Sequence, residues 1–480
     1  MGSYIFTDPK GEIYDRTAGY FKSKGYEIKV LNLVRPQYSD GYNPLMHINS
    51  EIDVDVVANT IVKGQKSESS SSADPYWDDM AEMLLKALIY YLMAKRPEEE
   101  QNLASCAELV RAANNNGGDN LLTELMSSLP YDHPARMNYK SIEIAPEKTY
   151  GSILSSLQSK LGKFDSKEIA DLTSTNTIEF EELAKKKTVL YVISSDSHGA
   201  YDFLLTIFFS QMIQHLYDFA DSCGGKLPVQ TFFFLDEFAN IGRIPDFDKK
   251  ISTSRSRNIS FSVILQNLDQ LEAVYKESHE TIIGNCDTHL FLGSNSQETV
   301  EYFSKALGEK TIVRDSKSTN RDKDNVKSGT STSDQILGRA LLTPDELRRL
   351  DTDECIIYET GLKPVKARKY YYFKYPISKV AQRIEISHND IGDRQRGIWR
   401  KFNPYNPYVE GEKPRDTKNL NIQSLDDIFE EEPAKKEQPV AAPVPKPANK
   451  KETEDKFTYD IQKELEAKFD ELFGTTSNNE

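Results

Sequence analysis

Three observations predict an α/β fold organised on a parallel sheet. Short apolar runs bounded by turn residues recur along the chain, as at Thr188–Ile193 and Thr231–Leu235, and such runs read as strands covered on both faces. Between them lie longer stretches with apolar residues at helical spacing. Two runs end directly on polar groups, Asp236-Glu237 and Gln266. In open α/β sheets the carboxyl ends of the strands are the edge where ligands bind.

Residues 4 to 8 form the first strand, and Pro9-Lys10-Gly11 is turn chemistry that hands over to a helix ending near Gly25. Lys10 and Glu12 then lie near the ligand edge, and Asp8 and Lys10 are the expected cofactor-binding residues; the other reading of Asp8 to Glu12 is a plain strand-to-helix turn. A strand over Glu27–Leu33 and a helix over Val54–Lys63 complete a first sheet segment, residues 1–66. Polar Ser67 to Ala73 is a break, after which Asp74-Pro75 starts a long helical reading. Met80, Leu84, Leu85, Leu88, Ile89 and Leu92 give one helix a wide apolar stripe, and further helices fall at Cys106–Ala113, Leu121–Ser128, His133–Ile142 and Tyr150–Leu161. Residues 74–180 are therefore expected as an all-α domain inserted into the sheet domain.

Sheet signals return over residues 181–376. After the strand Thr188–Ile193 comes a helix from Tyr201 to Asp221, apolar over much of its circumference. The strand ending on Asp236 follows, then a short helix with Asp246 and Asp248 at its start, then Ser254-Arg255-Ser256-Arg257 and the strand Ser260–Leu265. Leu268–Lys276 is helical, His289–Leu292 reads as another buried strand, and Gln297–Leu307 as a helix. Lys310 to Asp334 is either a loop presenting cations to a DNA strand or a solvated hairpin. Glu354–Glu359 and Val365–Phe373 pair across Gly361 as a hairpin that finishes the sheet. Residues 377–480 read as a largely disordered tail. It holds a Pro-rich linker from Pro433 to Pro447 and a terminal amphipathic helix with Phe457, Ile461, Leu465, Phe469 and Leu472, a candidate docking peptide.

The acids after Thr231–Leu235 admit two roles. Asp236 can hold Mg²⁺ through its water shell while Glu237 polarises an attacking water, or the pair caps the helix that follows. Gln266 ends the next strand with a side chain that both donates and accepts. A strand with Asp-Glu, then Arg, then a strand with Gln is the layout of a RecA-like motor, in which the Gln senses the γ-phosphate and an Arg reaches into a neighbouring subunit.

The segment LDEFANIGRIPDFDKKISTSRSRNISFSVILQNLDQL closely resembles the type IV secretion coupling proteins of the TraG/TraD kind. Tyr4 to Glu12, Tyr42-Asn43-Pro44-Leu45 and Leu342 to Leu347 agree, so the likeness runs from Ser3 to about Phe373. The resemblance implies a hexameric ATPase that uses ATP and Mg²⁺ and works with a relaxase and accessory transfer proteins to feed single-stranded DNA into a type IV secretion channel, at the inner face of the cell membrane. It matches Asp236 to the metal acid, Glu237 to the catalytic acid, Gln266 to the sensing glutamine and Arg255 to the arginine finger, with Arg257 as runner-up. It also implies that the helical insertion faces DNA and substrate proteins, where the residues alone allow a lid or dimerisation domain. One departure stands out. The family's phosphate-binding loop precedes the Asp8 strand, and no G-x-x-x-x-G-K-[ST] occurs in this sequence. The resemblance thus implies a RecA-like sheet without its phosphate-loop strand, an open sheet edge and weak ATP binding by the isolated chain. A recruitment protein or remnant that does not hydrolyse ATP is the alternative, and a duplex-DNA motor fits the signatures less well.

Composition narrows the field. The net charge of −15 argues against nonspecific wrapping of duplex DNA, which needs a broad basic surface, but leaves room for local basic loops. Apolar runs stay below the roughly 18 residues of a membrane helix, so membrane contact is expected through partners or an anchor outside these residues. The four Cys show no C-x-x-C spacing, and the seven His form no H-E-x-x-H.

Overall fold

The computed structural model describes residues 2–63, 75–114, 120–195, 199, 201–320, 329–386 and 396–407. The expected break after Ser67, the Pro-rich linker and the terminal amphipathic helix lie outside the described residues. The chain opens with β1 (Ser3–Thr7), α1 (Glu12–Ser23), β2 (Glu27–Asn32) and α2 (Glu51–Lys63). It returns to the sheet with β3 (Thr188–Ile193), α10 (Asp202–Ser222), β4 (Thr231–Leu235), α11 (Phe247–Thr253) and β5 (Ile259–Val263). These strands form a five-stranded sheet in the order β2-β3-β1-β4-β5, parallel throughout.

The period of two along each strand sorts side chains between two helical layers. Ile5, Leu190, Val192, Phe233 and Leu235 join the large core with α10 and α2, whereas Val189, Tyr191, Tyr4 and Phe6 face α1. On the α1 side the rings form a ladder: Phe232 lies 5.5 Å from Tyr4, Phe234 5.2 Å from Phe6, and Phe6 5.6 Å from Tyr191. Ring pairs of this kind add about 0.5–1.5 kcal/mol beyond burial, so the ladder helps hold β4 in register with β1. That register sets the height of the acids that follow β4.

Between β2 and β3 run α3 (Pro75–Lys95), α4 (Leu103–Asn114), α5 (Leu121–Ser127), α6 (Pro134–Glu143), α7 (Glu147–Leu161), α8 (Lys167–Ser174) and α9 (Glu182–Lys185). The last two carry short apolar patterns that the sequence reading passes over. This layer shares its core with the sheet, since Leu84, Leu88 and Leu157 belong to the same buried cluster as Phe233. Residues 396–407, placed by sequence in the tail, cross this layer. Phe402 is buried beneath the Arg96 guanidinium, 4.2 Å from its ring, Asn102 Nδ2 donates to the Arg400 carbonyl at 3.0 Å, and Trp399 Nε1 donates to Asp171 Oδ1 at 2.9 Å.

Past β5 come α12 (Leu268–Tyr275), α13 (His279–Gly284), β6 (Thr288–Phe291), α14 (Gln297–Leu307), β7 (Glu309–Asn320), β8 (Gly329–Ala340), α15 (Pro344–Arg348), β9 (Glu354–Glu359), β10 (Val365–Arg368) and α16 (Pro376–Ala381). Here the structure corrects three expectations. β6 is not a buried strand, since Leu290 and Leu292 are 54% and 51% exposed. β9 and β10 do pair across Gly361, but with β6 they make a separate antiparallel sheet instead of finishing the main one. β10 also stops at Arg368, so Tyr370 to Phe373 leave the sheet. For Lys310 to Asp334 the hairpin is what forms, as β7 paired with β8. β5 is the last strand of the main sheet and pairs only with β4 among the described residues. No helix among them is long and apolar enough to cross a membrane, and the four Cys are free.

Candidate functional site

The site is assembled where β1, β4 and β5 end together. Thr7, the last residue of β1, donates its hydroxyl to the Asp236 carbonyl at 2.7 Å and so ties the first residue after β4 to its neighbour. Glu237 then takes a left-handed conformation, φ 50° and ψ 48°, which is costly for a residue with a Cβ. Phe238 holds it there: its ring is fully buried and stacks on Tyr275 at 5.5 Å, and its N–H donates to the Ile264 carbonyl at 3.1 Å. The loop closes at Gly242, with φ 81°, where a Cβ would fall 2.6 Å from Thr206 Oγ1. Thr206, on α10, donates that hydroxyl to the Ile241 carbonyl at 2.6 Å.

The forced turn brings Glu237 to Gln266. Gln266 Nε2 donates to Glu237 Oε1 at 2.8 Å, while the Gln266 N–H donates to Gln270 Oε1 at 3.3 Å. Asp236 is half-buried, and burial first, then the neighbouring Glu237 charge, raise its pKa above the ordinary 3.8; the Glu237 N–H, 3.2 Å from Asp236 Oδ1, opposes them. Among the described residues neither acid is paired with a Lys or Arg. Two adjacent carboxylates without a cation at a sheet's carboxyl edge suit a divalent metal. No preformed cluster of three or more His, Cys, Asp or Glu exists among the described residues. That fits Mg²⁺, which is commonly held through one or two carboxylates, waters and substrate phosphates.

The other expected residues are dispersed. Asp8 is 2% exposed, and its Oδ2 accepts the Tyr14 N–H at 2.8 Å. Burial raises its pKa and the amides at the start of α1 lower it, and the bond to Tyr14 ties this carboxylate to the strand-to-helix turn. Lys10 is exposed on the same turn. Arg255 and Arg257 lie before β5, at the amino edge of the sheet, separated from Gln266 by the length of a five-residue strand, about 17 Å. Arg257 is bound in place: its Nε and Nη2 donate to Asp221 at 3.1 and 3.2 Å, and its guanidinium lies 4.7 Å from the Tyr217 ring centroid. Arg255 has a 94% exposed side chain and, among the described residues, only a distant carboxylate, Asp287 at 3.8 Å. Thr7 and Gln270 escaped the sequence reading. Gln270 sits one helical turn from Gln266, a usable signal, but nothing local marks Thr7, whose partner lies across the sheet.

Residues 1–392 match the family described as Type IV secretory system Conjugative DNA transfer. Conjugal transfer protein TraG of Escherichia coli is 26% identical over 435 residues, which cover 82% of this chain and 66% of TraG. Protein VirD4 of Rhizobium radiobacter is 29% identical over 205 residues, covering 42% of this chain and 29% of VirD4. The chain thus spans at most 66% of the length of these relatives. Among solved structures, the bacterial conjugative coupling protein TrwB in its trigonal form with sulphate aligns with a TM-score of 0.55 at 15% identity, over 78% of this chain and 81% of that one. TrwB in complex with ADP and Mg²⁺ aligns with a TM-score of 0.51 at 15% identity, over 78% and 80%. These likenesses place the parallel sheet in the RecA-like α/β class.

Proposed function

The chain belongs to the type IV secretory system conjugative DNA transfer family, and from that premise we propose that it is a coupling protein whose ATP hydrolysis drives single-stranded DNA, with its bound relaxase, into a type IV secretion channel. The observation that carries the proposal is the contact of Gln266 with Glu237 beside an uncompensated Asp236. It joins the acids of one strand to the amide of the next at the carboxyl edge of a parallel sheet.

In this reading Asp236 holds the magnesium of Mg-ATP, which neutralises phosphate charge when bound. Glu237 orients and deprotonates the attacking water, and its left-handed turn keeps the carboxylate in front of the strand ends. Gln266, hydrogen-bonded to Glu237, senses the γ-phosphate. Arg255, exposed at the opposite edge of the sheet, acts in the site of a neighbouring subunit, as a hexameric ring provides. Among the described residues β5 pairs only with β4, which leaves its other edge able to take a further strand. With no G-x-x-x-x-G-K-[ST] in the sequence, the purified chain alone binds Mg-ATP weakly and shows negligible turnover. The helical layer α3–α8 meets the transfer substrate, and the assembly works at the inner face of the membrane.

A mating assay tests the reading. In a native donor the unaltered allele at its own locus supports DNA transfer, and Glu237→Gln introduced there should abolish it. Transfer at the wild-type frequency with Glu237→Gln would refute the assignment.

A further inference from the structure

A second surface lies outside the strand-end site. Between Leu362 and Ile384 the sequence holds seven Lys and Arg and no Asp or Glu, within a chain of net charge −15. The same stretch exposes an unusual concentration of rings: Tyr370 is 65% exposed, Tyr372 46%, Phe373 53% and Tyr375 41%. Contiguous exposed aromatic surface marks an interaction site more often than chance.

The rings are also held in place. Tyr370 and Tyr375 stack with centroids 3.9 Å apart and planes 15° from parallel. The Tyr371 hydroxyl donates to Asp353 Oδ1 at 2.7 Å, with Lys374 Nζ 4.4 Å from its ring centroid. Arg16 of α1 donates to the Tyr372 hydroxyl. Arg16 also lies over the Tyr372 ring, 5.8 Å from its centroid, and Tyr372 and Phe373 keep about half of their surface exposed beside these contacts. The segment is seated on α1 so closely that a Cβ at Gly19 would fall 2.0 Å from the Ile384 carbonyl oxygen. Lys366 is paired with Glu354 at 2.6 Å, but Arg368, Lys369, Lys374 and Lys379 have no carboxylate partner among the described residues.

We propose that Arg368 to Lys379 is a stacking platform for single-stranded DNA. Its rings take up unpaired bases, and its uncompensated cations meet the phosphates. Such a surface suits a single strand because base faces are available only when unstacked, and every base has one, so recognition is independent of sequence. A duplex offers phosphates but hides its base faces. The proposal rests on the DNA-transfer reading above and deepens it by naming a gripping surface separate from the nucleotide site.

The test is fluorescence anisotropy of a labelled oligothymidylate with the full chain and two double variants. Tyr372→Ala with Phe373→Ala should weaken binding about tenfold or more and leave the salt dependence unchanged. Lys369→Gln with Lys374→Gln should weaken it and lower the slope of log K against log salt by about 1.4. Tyr372→Trp with Phe373→Trp should restore wild-type affinity, which a merely structural role of the rings would not produce. Unchanged affinity in both double variants, an equal loss for duplex DNA, or stronger binding to phosphatidylglycerol vesicles than to the oligonucleotide would each overturn the platform. Those results would leave the mating outcome for Glu237→Gln untouched, so the two proposals fail separately.

Discussion

Glu82 on α3 and Asp236 after β4 are both acids withdrawn from solvent, and they are treated in opposite ways. Glu82 is 8% exposed and accepts from Lys63 Nζ at 2.8 Å, Lys86 Nζ at 2.9 Å and Asn59 Nδ2 at 3.0 Å. Burial pushes its pKa up, but the two ammoniums outweigh burial and hold it below 4.5. Asp236 has no such partner among the described residues, and both burial and Glu237 push it up. The first charge is neutralised within the fold, where it joins α2 to α3. The second has no neutralising partner among the described residues, which in the proposed reading leaves it for the magnesium of Mg-ATP.

The largest effect that would break this contrast is chemical. In the complete assembly Glu237→Gln should lower ATP turnover by about 10⁴-fold while nucleotide binding persists, measured by phosphate release and by equilibrium binding. Ordinary turnover would show that the unpaired acids are not catalytic. Arg255→Ala should lose about 10³-fold, with partial recovery in mixed assemblies with Glu237→Gln subunits, because each intact half then completes a site. Arg257→Ala should keep turnover and melt earlier, since it loses Asp221 and the Tyr217 ring. The reverse outcome would exchange their roles.

Stability experiments sharpen the contrast. Glu82→Gln should cost about 1 kcal/mol at neutral pH, since Lys63 and Lys86 each lose one of two carboxylates and keep Asp79 and Asp55. A group whose folded pKa is lowered contributes fully above its unfolded value, so this cost should be complete above pH 4.5 and fade as pH falls through the lower folded value. Asp236→Asn should do the opposite and raise the melting temperature by about 1–3 °C at neutral pH. Its gain should shrink as pH falls through the raised folded pKa and vanish below 3.8. Denaturation curves across pH check both; a drop in melting temperature for Asp236→Asn would mean that its charge is compensated after all.

What the sequence determined by itself lies within a few residues of each signal. The strand Thr188–Ile193 and the helix Gln297–Leu307 appear with the bounds that their apolar runs imply, and Ser296 caps the latter by accepting the Thr299 N–H. Asp236, Glu237 and Gln266 were legible because each directly follows an apolar run, and two such runs in parallel place their ends together. Tertiary structure decided what depends on partners far along the chain. It tied the Asp8 carboxylate to the Tyr14 N–H of α1, placed β6 in a second sheet, bound Arg257 to Asp221 while leaving Arg255 exposed, and buried Phe402 under Arg96. Periodicity and capping are properties of adjacent residues, whereas strand order, ion-pair choice and the solvent exposure of a ring are set by which distant surfaces meet, and no local pattern carries that information.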